Sequence, residues 1–184
     1  MPRNTYGHSR RSIRLKGYDY SQTGAYFITI CAHKGLCVFG DIRNGVVQLN
    51  DFGRIVEREW LRTAKIRSNV ELDVFVVMPN HFHGIISIVN DTSVGATRRV
   101  APTTHSLTPN SIGATVGQFK SIVTKNIRKT RFHGFKWQRN YYEHVIRNED
   151  DLKDVRGYII NNPRKWELDA ENSNNRRQKN RGSS

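Results

Sequence analysis

The chain has 184 residues, 36% of them hydrophobic, which is enough for one domain with a buried core and no need of cross-links. No apolar run approaches membrane-spanning length, and two cysteines, Cys31 and Cys37, make no disulfide framework, so a soluble protein of the reducing cytoplasm is expected. Thirty Lys and Arg against sixteen Asp and Glu give a formal net charge of +14, the balance of a protein that meets a polyanion.

Residues 1–24 read as a basic N-terminal arm that carries Arg14 and Lys16. The basic residues after Met1 are followed by no apolar segment, so no secretory signal is expected. Ala25 to Ala32 is rich in aromatic and β-branched residues and predicts a strand. Asn44-Gly45 is a turn signal ahead of a short strand, Val46 to Leu49. Asn50 or Asp51 can cap a helix in which Ile55, Val56, Trp60 and Leu61 recur at helical spacing. Two strands follow, Glu71–Met78 and His81–Val89. Pro79-Asn80 between them forces a tight reversal and an antiparallel hairpin.

Residues 90–111, with Gly95, Pro102 and Pro109, read as a variable loop. Helical spacing returns from Ile112 to Arg128, and Lys136–Arg139 reads as a short strand or turn. Asn148 can cap a last helix whose first residues, Glu149, Asp150 and Asp151, suit the positive end of its dipole. That helix runs towards Asn162 and stops at Pro163. Residues 167–184 are expected to be a basic, disordered tail. The order of elements predicts an α+β domain over residues 25–166. It is a ferredoxin-like βαββαβ antiparallel sheet with helices on one side and an additional C-terminal helix.

Three features bear on chemistry. His81 and His83 stand two apart in a predicted strand, so both imidazoles leave one face within reach of one cation, while Phe82 points into the opposite side. Two histidines in a strand are more often bystanders than ligands, and only their place after a Pro-Asn turn sets these apart. Tyr158 and Asn162 stand four apart on the last helix and share a face. The pair fits a nucleophile and a carbonyl ligand, although on spacing alone a mid-helix tyrosine is more often core and an Asn before Pro more often a helix cap. From Thr92 to Tyr142 there are nine basic residues, Lys120, Lys125 and Arg139 among them, and no acid. With Arg147 they would suit a nucleic-acid backbone, and Tyr141 and Tyr142 stand among them either as stacking platforms or as core. A P-loop and a dinucleotide fingerprint are absent, so no nucleotide cofactor is expected.

Taken in order, these blocks resemble a known family. Val77-Met78-Pro79-Asn80-His81-Phe82-His83-Gly84 is similar to the HUH motif of single-tyrosine transposases. Gly117–Ser121, Trp137–Arg147 and Tyr158–Pro163 resemble, in turn, the second core helix, the approach to the final helix and the nucleophile helix of the REP-associated tyrosine transposases. The resemblance spans about residues 10–166. It implies that His81 and His83 hold a divalent metal, Mg2+ or Mn2+, with Asn162 as a third ligand, and that Tyr158 is the nucleophile. It implies single-stranded DNA with hairpin-forming palindromic repeats as substrate, cleaved and rejoined through a 5′-phosphotyrosine. A homodimer is one arrangement it admits. A relaxase- or replication-type HUH nickase, or a non-catalytic nucleic-acid-binding protein on the same fold, are the alternative readings.

Overall fold

The computed structural model describes residues 18–90, 110–168 and 172. The basic arm with Arg14 and Lys16, nearly all of the 90–111 loop and all but a few residues of the 167–184 tail lie outside the described residues. In chain order the elements are β1 (Gly24–Cys31), β2 (Gly40–Arg43), β3 (Val46–Leu49), α1 (Asp51–Ile66), β4 (Val70–Val77), β5 (His81–Ile88), α2 (Ile112–Lys129), β6 (Tyr142–Ile146) and α3 (Glu149–Asn161). A 3-10 turn, Pro163–Leu168, carries the chain on from α3.

Four strands form one sheet in the order β4-β5-β1-β6, with every neighbouring pair antiparallel. This is the ferredoxin-like arrangement expected from the sequence. β2 and β3 make a separate hairpin. Its turn places Asn44 and Gly45 both at positive φ, 52° and 72°, which a two-residue hairpin of right-handed twist requires.

Each central strand is buried on both faces because helices cover both. Tyr26, Ile28, Ile30, Phe82 and Ile86 point into one core, which α1 and α2 complete with Val56, Trp60, Phe119 and Val123. Phe27 and Ile85 point the other way, under Val155 and Ile159 of α3. Thus α1 and α2 share one side, and α3 closes the opposite one.

Two caps are those the sequence offers: Asn50 accepts from the N–H groups of Phe52 and Gly53, and Asn148 from that of Asp151. The structure adds Ser111, which accepts from the Ala114 N–H at the start of α2.

One strand sits elsewhere than the sequence pattern placed it. Lys136–Arg139 forms only a single bridge, Ala32 to Trp137, and the sixth strand is Tyr142–Ile146. That stretch pairs only locally, His33 N–H with the Lys136 carbonyl and Gln138 N–H with the Cys31 carbonyl, and the Lys120 ammonium donates to the carbonyls of Gln138 and Arg139 at 2.8 and 3.1 Å. β2 is also a strand that the turn signal alone did not delimit.

Candidate active site

The site forms where β5 begins. The two-residue period of the strand puts His81 and His83 on the α3 side, fully buried at 0% and 1% exposure, while Phe82 packs against Trp60 on the other. Their Nε2 atoms stand 2.9 Å apart. Each Nδ1 is held from behind: that of His81 donates to Asn80 Oδ1 at 2.7 Å, and that of His83 lies 2.7 Å from Thr29 Oγ1. Asn80 is oriented in turn by donating to the Gly35 carbonyl. Two imidazole nitrogens this close need a positive centre between them, either one shared hydrogen or a cation. Octahedral ligands about 2.0–2.1 Å from Mg2+ stand about 3 Å apart at right angles, so the spacing fits a divalent ion.

α3 brings the remaining groups. The Tyr158 hydroxyl lies 3.5 Å from His83 Nε2, and its ring meets those of His83 and Phe27 edge-on at 5.2 and 5.8 Å. Four residues on, Asn162 is 5% exposed, and among the described residues its Oδ1 has no hydrogen-bond partner. An unpaired buried amide oxygen costs about 1–3 kcal/mol, an expense that a bound cation would remove. Four residues further, the ring of Trp166 lies 6.0 Å from His81. Asn162 thus stands in sequence midway between Tyr158 and Trp166, two side chains that both meet the histidine pair. Among the described residues no cluster of three or more His, Cys, Asp or Glu could hold a metal ion.

The helix bearing Tyr158 is clamped to the sheet edge. Arg156 donates through Nε and Nη2 to Asp73 Oδ2 of β4 at 2.9 and 2.5 Å. Burial alone would raise the Asp73 pKa. The hydrogen bonds from Arg156 and the Val74 N–H, with the guanidinium charge, outweigh it and hold the carboxyl below its ordinary 3.8.

Tyr142 also touches Phe27, at 6.1 Å between ring centres. Burial, and then the Asp151 charge, raise its pKa and disfavour the phenolate. Tyr141 packs against the opposite core.

The basic candidates are not gathered at this site. Lys120, Lys125 and Arg139 line a cleft beside α2, on the other side of the sheet. Lys120 is turned to backbone carbonyls, and burial pushes its pKa below 10.5. Arg147 is exposed just past β6, its N–H bound to Asp151. Thr29, Trp166 and the Asp73–Arg156 pair were not marked by any sequence signal.

A protein of Haemophilus influenzae (strain ATCC 51907 / DSM 11121 / KW20 / Rd), itself uncharacterized, is 43% identical over 166 residues, covering 88% of this chain and 92% of that protein. The chain belongs to the same family as this Haemophilus protein. No family model matches the chain. Among solved structures, a REP-associated tyrosine transposase bound to a REP hairpin superposes with a TM-score of 0.53 at 20% identity, covering 80% of this chain and 71% of that one. The fold is thus that of a REP-associated tyrosine transposase, in agreement with the motif order. A candidate transposase from Deinococcus radiodurans R1 superposes at a TM-score of 0.44 and 15% identity.

Proposed function

We propose that this chain is a metal-dependent, single-tyrosine transposase that cleaves and rejoins single-stranded DNA at hairpin-forming palindromic repeats. The observation that carries the reading is the meeting of one phenol with two back-supported imidazoles whose Nε2 atoms stand 2.9 Å apart. The REP hairpin held by the structural neighbour supports the substrate class.

His81 and His83, with the Asn162 carbonyl oxygen, would hold the divalent ion. Mg2+ or Mn2+ bound there would neutralise charge on the non-bridging oxygens of the scissile phosphate. Tyr158 is the nucleophile: its oxygen forms a bond to phosphorus, and the bond from phosphorus to the 3′ oxygen breaks in line. The phenol loses its proton to water, and the departing 3′ oxygen takes one up. A 5′-phosphotyrosine remains, which preserves the energy of the broken diester for attack by a 3′-hydroxyl. Rejoining therefore requires no ATP. Asn80 and Thr29 hold the imidazole planes, and the Arg156–Asp73 pair holds the helix that delivers the phenol.

The non-catalytic alternative is less well supported. A ferredoxin-like sheet that binds single strands presents exposed aromatics on its central strands. Here Phe27 is fully buried and α3 covers that face.

The test is incubation with a labelled oligonucleotide that carries a hairpin and a single-stranded flank, in Mn2+ or Mg2+. A labelled protein band that survives denaturation, and that chelator prevents, is expected. Cleavage insensitive to chelation would overturn the role given to His81 and His83.

A further inference from the structure

Of the three tryptophans, Trp60 and Trp137 are buried in the α1/α2 core. Trp166 is different. It is half-buried on the 3-10 turn after α3, and its ring lies 6.0 Å from that of His81, tilted by 38°. Among the described residues it meets no other ring, and its indole N–H has no hydrogen-bond partner. A tryptophan placed for packing alone sits among apolar neighbours, as Trp60 does among Phe75, Phe82 and Phe119.

The turn that carries Trp166 is braced. The Trp166 carbonyl accepts from Asn172 Nδ2 at 3.0 Å, and Asn172 is itself buried. The tip of the β2–β3 hairpin rests on Arg164, where a Cβ on Gly45 would stand 3.2 Å from Arg164 Cγ. Arg164 and Lys165 are exposed and form no ion pair among the described residues. Surfaces that track unpaired strands join such cations, which meet phosphates, to a ring that meets a base.

Tyr158 stands against His83 and Trp166 against His81, so each member of the histidine pair has one ring beside it. A phosphate held at the pair would have the indole at hand for an adjoining base. We infer that Trp166 stacks on a base that flanks the scissile phosphate, and so fixes which phosphate of the strand meets Tyr158. Stacking accepts any base, so the requirement is for a base at that place and not for one letter. The inference rests on the transposase reading and adds the residue that sets the register of the strand.

The experiment follows adduct formation against DNA concentration for wild type, Trp166→Phe and Trp166→Ala. The DNA is a hairpin oligonucleotide with a single-stranded flank, intact or made abasic immediately 5′ or 3′ of the mapped cut. Trp166→Ala should raise the half-saturating concentration of intact DNA about tenfold, and Trp166→Phe should keep most of the wild-type value. An abasic site on one of the two sides should cost wild type a similar factor, and on that DNA Trp166→Ala should cost less than about twofold more. Affinity of the DNA-free protein for Mn2+ should stay within about twofold in both variants. Three results would overturn the assignment: neither abasic site affects wild type, Trp166→Ala costs as much on abasic as on intact DNA, or it weakens Mn2+ binding. The transposase reading fails by a separate sign, the lack of any adduct between wild type and intact DNA.

Discussion

The hydroxyl of Tyr158 and Nε2 of His83 lie 3.5 Å apart within one chain, so the proposed nucleophile faces the histidine pair of its own chain. A consequence follows for mixtures. Tyr158→Phe combined with His81→Ala/His83→Ala should restore no strand cleavage, because neither variant holds both halves of a site. Recovery of cleavage on mixing, read on a denaturing gel, would show that the tyrosine of one copy serves the histidines of another.

Thr29 stands behind His83 at 2.7 Å and is 1% exposed. Thr29→Val removes the oxygen and keeps the shape, which takes away this support for the His83 ring. Loss of such a partner typically weakens metal binding about 10–100-fold. Calorimetric titration of the DNA-free protein with Mn2+ should show that loss, and an unchanged affinity would reduce Thr29 to packing.

The Arg156–Asp73 pair predicts a pH signature. The folded carboxyl titrates below its ordinary 3.8, so its contribution is fully present above that value and is lost as pH falls through the lower folded value. Asp73→Asn should lower the thermal midpoint at neutral pH, and the gap from wild type should close at pH values below 3.8. Because Arg156 precedes Tyr158 by two residues, the same variant should slow adduct formation more than it weakens DNA binding. A gap that persists into acid would contradict the linkage.

Gly84 follows His83 on β5 and faces the α1/α2 core. A Cβ there would stand 2.8 Å from Phe82 Cζ and 3.0 Å from Trp60 Cζ2, both fully buried rings with little room to retreat. Gly84→Ala should therefore cost about 1–3 kcal/mol of stability in denaturant unfolding. Unaltered stability would mean that the core is looser than its burial implies.

Much of this was legible in the chain itself. The two-residue period placed His81 and His83 on one face, and the four-residue step paired Tyr158 with Asn162, because both rules are local. Local rules fail where partners are distant. Thr29 meets His83 across 54 residues through strand register, and Arg156 meets Asp73 across 83. Trp166 reaches His81 only because the chain keeps turning after Pro163, where a sequence reading stops the helix. The sixth strand was misplaced for a similar reason: whether 136–139 or 142–146 pairs along β1 is settled by register with a strand more than a hundred residues away.

The account rests on Tyr158 as the attacking group, and peptide mapping of the denatured adduct decides it. Trypsin cutting at Arg156 and Arg164 releases residues 157–164, which contain one tyrosine, whereas Tyr141 and Tyr142 leave on residues 140–147. A nucleotide mass on the 157–164 peptide, absent from Tyr158→Phe, is the result expected. The same mass on the 140–147 peptide would contradict the assignment and move the chemistry to β6.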